Sequence, residues 1–216
     1  SHAQELVARA AELGHRAIAV TDRNSLAGVV RAHLAAREAG IKLVVGVRLD
    51  LRDGASLLAY PSDRAAYGRL SRLVTLGRRR APKGECELFR QDVLEWGEGM
   101  IFVAVPPQYG DTIDEIRGHD GDGCCQSAGT WPYRVPGFRT AIVSPHCGYD
   151  DICVSFTAQL AELKAVFPDN CYIAISRSLA GDDPARMAYL FDLSDKLGIP
   201  PVATNDVHMH APERRA

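Results

Sequence analysis

The sequence has no apolar run long enough to form a membrane-crossing helix, and its net charge is only −2. The first absence excludes a transmembrane helix, which needs about 20 consecutive apolar residues. The second excludes a global basic field of the kind that holds nucleic acid. Any nucleic-acid contact would need a local patch or another part of a longer protein. No secretory signal opens the chain, because SHAQELVARAAELG is an amphipathic helix pattern with acidic residues inside it. Without that signal, Cys86, Cys124, Cys125, Cys147, Cys153 and Cys171 read as free thiols of a cytoplasmic protein rather than as a disulfide framework. Adjacent Cys124 and Cys125 do not have zinc-finger spacing. No G-x-G-x-x-G follows an apolar run, which weakens a dinucleotide-binding reading.

What is present is ordinary for a globular chain: 216 residues, 46% hydrophobic and 24% charged. That suffices for one α/β domain with a real core. A first helix capped by Ser1 and Gln4 and stopped at Gly14 precedes a buried strand, AIAVT at 17–21. DRNS reads as a turn, and Ser25 as the cap of a helix from Leu26 to Ala39 that stops at Gly40. KLVVG at 42–46 completes a strand–helix–strand unit, which implies parallel pairing. Asp53-Gly54 between apolar alternations suggests a β-hairpin. A helix over 63–79, a short helix near Val93 and a strand at 100–105 follow. The stretch from 107 to about 139 is rich in Gly and Asp and reads as an irregular insertion. Order is expected to return with a strand at 140–144, a helix near 156–166, a strand at 171–176, a helix from Pro184 to Leu197 and a last strand, PVATN. Buried strands alternating with helices fit a closed α/β barrel or an open doubly wound sheet.

Polar residues gather just after the buried strands. Asp22 follows AIAVT, His146 follows TAIVSP, and Asp206 and His208 follow PVATN. In an α/β barrel these strand ends share one rim. Carboxylates and imidazoles meeting there suit a divalent metal, whose bound water can attack a phosphate ester. Each residue also has a plainer reading. Asp22 can cap or turn the chain before a helix, His146 can be a loop histidine, and His210 can be surface polarity. The spacing in PHCGYDDIC matches no standard metal site. The arginines of GRRRAPK, residues 77–83, complement a helix C-terminus, with phosphate contact as the alternative.

ELVARAAELGHRAIAVTDRNSLAGVVRAHLAAREAGIKLVVG, YGRLSRLVTLGRRRAPKG and VATNDVHMHAPERR occur here in that order. They resemble the polymerase and histidinol phosphatase (PHP) domain of bacterial C-family DNA polymerases. SLAGVVRAH and DVHMH are most similar to the error-prone, translesion branch. The resemblance covers about residues 1–105 and 165–216, and implies a single PHP domain over 1–216 with a distorted seven-stranded (β/α) barrel. It places Asp22 at the Asp of a T-D-H motif, and Asp206 with His208 at a final D-x-H motif. An opening H-x-H motif would lie upstream of Ser1. The chain lacks an initiator Met and stops at APERRA, so we expect a piece of a longer protein, incomplete at the N-terminus.

Two positions depart from the family pattern. Arg23 stands where metal-competent members carry His, and Arg48 stands where they carry an acidic residue. The resemblance therefore implies a degenerate site and a structural module. Zn²⁺ or Mn²⁺ would be the ions if metal bound at all. The parent would be a DNA-directed DNA polymerase acting in replication and damage-induced translesion synthesis. It would use template-primer DNA, deoxynucleoside triphosphates and Mg²⁺ through downstream domains, without a membrane partner. Other replication or mutagenesis proteins would be further partners. The alternatives are a metal-dependent phosphoesterase of the same superfamily and a docking module for such proteins.

Overall fold

The computed structural model describes residues 2–107, 149–177 and 183–205. The elements run α1 (Ala3–Glu12), β1 (Ala17–Arg23), α2 (Val29–Ala39), β2 (Lys42–Leu49), β3 (Leu57–Pro61), α3 (Arg64–Arg80), α4 (Arg90–Trp96), β4 (Met100–Ala104), α5 (Tyr149–Val166), β5 (Cys171–Ile175), α6 (Asp183–Leu197) and β6 (Pro201–Ala203). The six strands form one sheet in chain order, curled as half a barrel. β1–β2, β4–β5 and β5–β6 are parallel, and β3 runs antiparallel to both its neighbours. The described sheet therefore has six strands where seven were expected. The segment 140–144, read above as a strand, lies outside the described residues, as does the insertion from 108 onward.

Alternation along each strand sorts side chains to two faces. On one face Val47, Leu49, Leu57, Ala59, Phe102 and Ile173 meet the inward stripes of α3 to α6 in one continuous core. Burying each large side chain there contributes about 1.5–3 kcal/mol relative to exposure. A smaller cluster of Val7, Val20, Ala32 and Ala36 holds α1 and α2 against β1. The opposite face carries Thr21, Arg23, Gly46, Arg48 and Tyr60. The Tyr60 ring lies directly on Gly46, where an added Cβ would come within 2.6 Å of it. Burial pushes the Tyr60 phenol above its usual range.

Several local expectations shift, among them the start of α5, at Tyr149 rather than near 156. Glu5 rather than Gln4 caps α1, its Oε2 accepting from the His2 N–H at 2.8 Å, because the helix begins one residue later than read. α2 starts at Val29 rather than Leu26, since residues 25–28 form a turn in which the Ala27 N–H donates to Ser25 Oγ. The hairpin exists, but β2 and β3 are joined through residues 50–56, not through a two-residue Asp53-Gly54 turn. That loop is held from outside. Asp53 accepts from the Arg90 N–H at 2.8 Å, and the Gln159 amide pairs with both backbone groups of Ala55.

Candidate functional site at the strand-end rim

β1 and β2 run two and three residues further than their apolar cores suggest. The parallel ladder continues through Asp22↔Val47 and Arg23↔Arg48. The charged residues are thus part of the strands, at their C-terminal ends. They look like turn residues in sequence because charge is disfavoured in a buried strand; here they lie where the sheet meets solvent.

The alternation separates Asp22 from Arg23. Asp22 turns toward the helices, and its Oδ2 accepts from the Gly28 N–H at 2.8 Å, just ahead of α2. The approach is so close that a Cβ on residue 28 would sit 2.5 Å from that oxygen. A glycine is needed there for the carboxylate to reach the backbone.

Arg23 and Arg48 share the opposite face and converge on Asp50. Arg48 Nε donates to Asp50 Oδ1 at 3.0 Å, and Arg23 Nη1 lies 3.5 Å from Oδ2. Ser56 Oγ donates to Asp50 Oδ1 at 2.6 Å and accepts from Arg48 Nη2 at 3.3 Å. Asn24 closes the arrangement from the other strand. It sits at φ 47°, a left-handed conformation that asparagine tolerates better than most residues. There its N–H donates to the Arg48 carbonyl at 2.8 Å, and its Oδ1 accepts from the Asp50 N–H at 3.0 Å. Arg78, from the end of α3, donates to the Asn24 carbonyl at 3.2 Å. The rim is therefore a clamp joining the ends of β1 and β2, the 50–56 loop and α3.

Exposure ranks its parts. The Arg48 and Asp50 side chains are 20% and 30% exposed, whereas Arg23 is 65% exposed. The Arg48–Asp50–Ser56 bonds are charge-assisted and partly shielded, so they carry most of the energy. The Arg23 pair is screened by water and contributes little.

Of the residues singled out in the sequence, the structure brings Arg23 and Arg48 together and sets Asp22 apart on the other face. Asp206, His208, His146 and His210 lie outside the described residues. Among the described residues no three His, Cys, Asp or Glu side chains are grouped to hold a metal ion. Two guanidiniums already satisfy the one carboxylate of this face, so the described part of the rim does not fit a cation. Sequence reasoning missed Asn24, Asp50 and Ser56. The available signals were an Asn in a turn that calls for positive φ and an Asp two residues after Arg48, on the same face of a strand.

The fold, a mixed α/β half-barrel with functional residues expected at its rim, has counterparts among solved structures. A protein from Bifidobacterium adolescentis provisionally assigned as a metal-dependent phosphoesterase matches with TM-score 0.55 at 15% identity, covering 98% of this chain and 84% of that one. An amidohydrolase from Chromobacterium violaceum, solved with sulfate and no metal, matches with TM-score 0.54 at 16% identity, covering 98% and 83%. At such identities the likeness is one of fold alone. The chain belongs to the PHP domain family, whose model matches residues 1–178. It is 40% identical over 216 residues to the error-prone DNA polymerase of Caulobacter vibrioides. It is 37% identical over 215 residues to error-prone DNA polymerase 1 of Agrobacterium fabrum, and 38% identical to the Methylococcus capsulatus error-prone DNA polymerase. Each match covers all of this chain but only 16% of the relative's length.

Proposed function

We propose that this chain is the PHP module of an error-prone DNA-directed DNA polymerase, and that the module is structural, with an arginine–carboxylate clamp in place of a metal centre. The observation that carries the structural half is the convergence of Arg23 and Arg48 on Asp50 at the strand ends. A metal cluster gathers anionic or neutral donors around a cation. Here the cations are side chains, and the acceptor between them is already bonded. Asp22, at the end of the same strand as Arg23, accepts from the α2 entry instead. The polymerase half is supported by full-chain similarity of 36–40% identity to error-prone DNA polymerases.

In the whole enzyme, nucleotidyl transfer, template-primer DNA, deoxynucleoside triphosphates and Mg²⁺ belong to domains outside these residues. The role is copying damaged template in replication and damage-induced translesion synthesis, beside other replication or mutagenesis proteins. Zn²⁺ or Mn²⁺ in this module would have to rely on Asp22, Asp206 and His208, with His146 as a weaker donor.

Metal content by plasma mass spectrometry, on this chain and on an Asp206→Ala, His208→Ala variant, tests the structural half. The expected result is no stoichiometric metal in either. Stoichiometric zinc or manganese that disappears in the variant, together with phosphodiesterase activity, would instead establish a metal-dependent phosphoesterase. Primer extension across a lesion by the full-length parent tests the polymerase half; accurate stalling without bypass would refute it.

A further inference from the structure

A second surface, along α3, carries charge of which the clamp uses only Arg78. α3 contains Arg64, Arg69, Arg72, Arg78, Arg79 and Arg80, and no Asp or Glu between positions 64 and 80. This stands against a chain whose net charge is −2. The helix divides its arginines by side. On the flank toward α4, Arg69 Nε donates to the Glu98 carbonyl at 2.8 Å, and Arg80 grips buried Asp92 through both nitrogens. Arg78 reaches across to Asn24. The stripe opposite the buried residues Ala66, Leu70, Leu73, Val74 and Gly77 is different. At 100° per residue, Arg64, Arg72 and Arg79 fall within about 80° of one another on that outward side. All three are exposed. Among the described residues Arg64 and Arg79 have no hydrogen-bond or ion-pair partner, and Arg72 lies 5.6 Å over the Trp96 ring.

The residues between them are small. Gly68, Ser71 and Thr75 fill the rest of the stripe, and nothing lies within 4 Å of a Cβ placed on Gly68. The result is a low, straight ridge about 22 Å long from Arg64 to Arg79 at 1.5 Å per residue. Exposed Lys83 lies just beyond its end.

We propose that this α3 ridge binds the phosphate backbone of a DNA strand. Guanidinium forks match phosphate oxygens in pairs, which an ammonium does not. A line of them at roughly 10–12 Å intervals, set by seven- and eight-residue helical spacing, follows a linear polyanion better than a compact one. The small residues let the helix backbone come close. No base-reading group is needed, so binding is independent of sequence and governed by counterion release.

The experiment is fluorescence anisotropy of the purified chain with labelled single-stranded and duplex oligonucleotides of mixed sequence, over a range of salt. Binding to either form is expected, with log K falling linearly in log salt. The variant Arg64→Gln, Arg72→Gln, Arg79→Gln should lower that slope by about 2 to 3, near 0.9 per lost contact for duplex and 0.7 for single strands. A second variant, Arg16→Gln, Arg31→Gln, Arg37→Gln, removes the same charge elsewhere and should leave the slope unchanged. Circular dichroism should show both variants folded; if the ridge variant is not, the single substitution Arg79→Gln, expected to lower the slope by about 1, carries the test. No salt-dependent binding, or equal loss in both triple variants, would overturn the proposal. Equal competition by polyglutamate would overturn it as well, because it would show a general polyanion surface.

Discussion

Asp50 is the residue on which the rim depends, since it receives Arg48, Arg23 and Ser56 and ties its own N–H to Asn24. Replacing it with alanine removes an acceptor from Arg48 Nε and Ser56 Oγ while leaving both groups partly shielded. Hydrogen bonds to a charged partner are each worth about 1.5–3 kcal/mol, so Asp50→Ala should cost about 2 kcal/mol after allowance for its partial exposure. Urea unfolding measures this. Arg48→Ala and the double variant complete a cycle whose coupling should exceed about 0.5 kcal/mol. Additive losses would show that the two side chains do not act together. A second residue gives the molecule a pH dependence. Burial raises the Cys171 thiol to about 11 from 9.0, opposed in part by Lys164. A raised folded value means that the stability linked to this thiol is whole below pH 9 and is lost as pH rises through about 11. Unfolding midpoints should therefore fall over that interval, and less so in Cys171→Ala. Alkylation mapped by mass spectrometry should spare Cys171 in the native state at neutral pH, because the thiolate is the reactive form.

Among the elements, α5 is tied to the 50–56 loop by one buried amide. Gln159 Oε1 accepts from the Ala55 N–H at 2.7 Å, and Nε2 donates to the Ala55 carbonyl at 3.1 Å. Gln159→Leu preserves volume but leaves both Ala55 backbone groups without partners in a buried site. At about 1–3 kcal/mol for each stranded group, the loss should approach 3 kcal/mol, read by chemical denaturation. Hydrogen exchange should locate it in the 50–56 loop rather than across the sheet. The same loop shows how far sequence carried the architecture. The helices over 64–80 and 183–197 and the strand at 100–104 lie within a residue of where periodicity places them, because each has one apolar stripe or run bounded by clear stops. Asp53-Gly54 has the letters of a tight turn, yet the turn is wider, since its geometry is set by Arg90 and Gln159 from distant helices. The ends of β1 and β2 were hidden for a similar reason. Arg23 reads as a turn residue, and nothing in the sequence joins Arg48 to Asp50 or Arg23, until the pairing that brings them together is seen. Local composition reports apolar burial well; it is blind to polar groups satisfied from far along the chain.

At the scale of the whole molecule, the question is whether this sheet needs a metal to hold its rim. A ligand that binds only the folded state stabilises it by about 2.7 kcal/mol at a concentration one hundred times its dissociation constant. For a domain of this size that corresponds to a shift of about 5–10 °C in the unfolding midpoint. On the proposed reading, Arg48, Asp50, Ser56 and Asn24 tie the described part of the rim together without such a contribution. Chelator should accordingly leave the midpoint within about 1 °C of the untreated chain, and so should micromolar Zn²⁺ or Mn²⁺, both well below the shift that occupied sites produce. Differential scanning calorimetry makes the comparison directly. A rise of 5 °C or more with either ion would contradict the clamp as a replacement for metal. Repeating the scan on Asp206→Ala, His208→Ala then identifies the donors. A rise that vanishes in this variant assigns the ion to the D-x-H pair, whereas one that persists places it on donors other than Asp206 and His208.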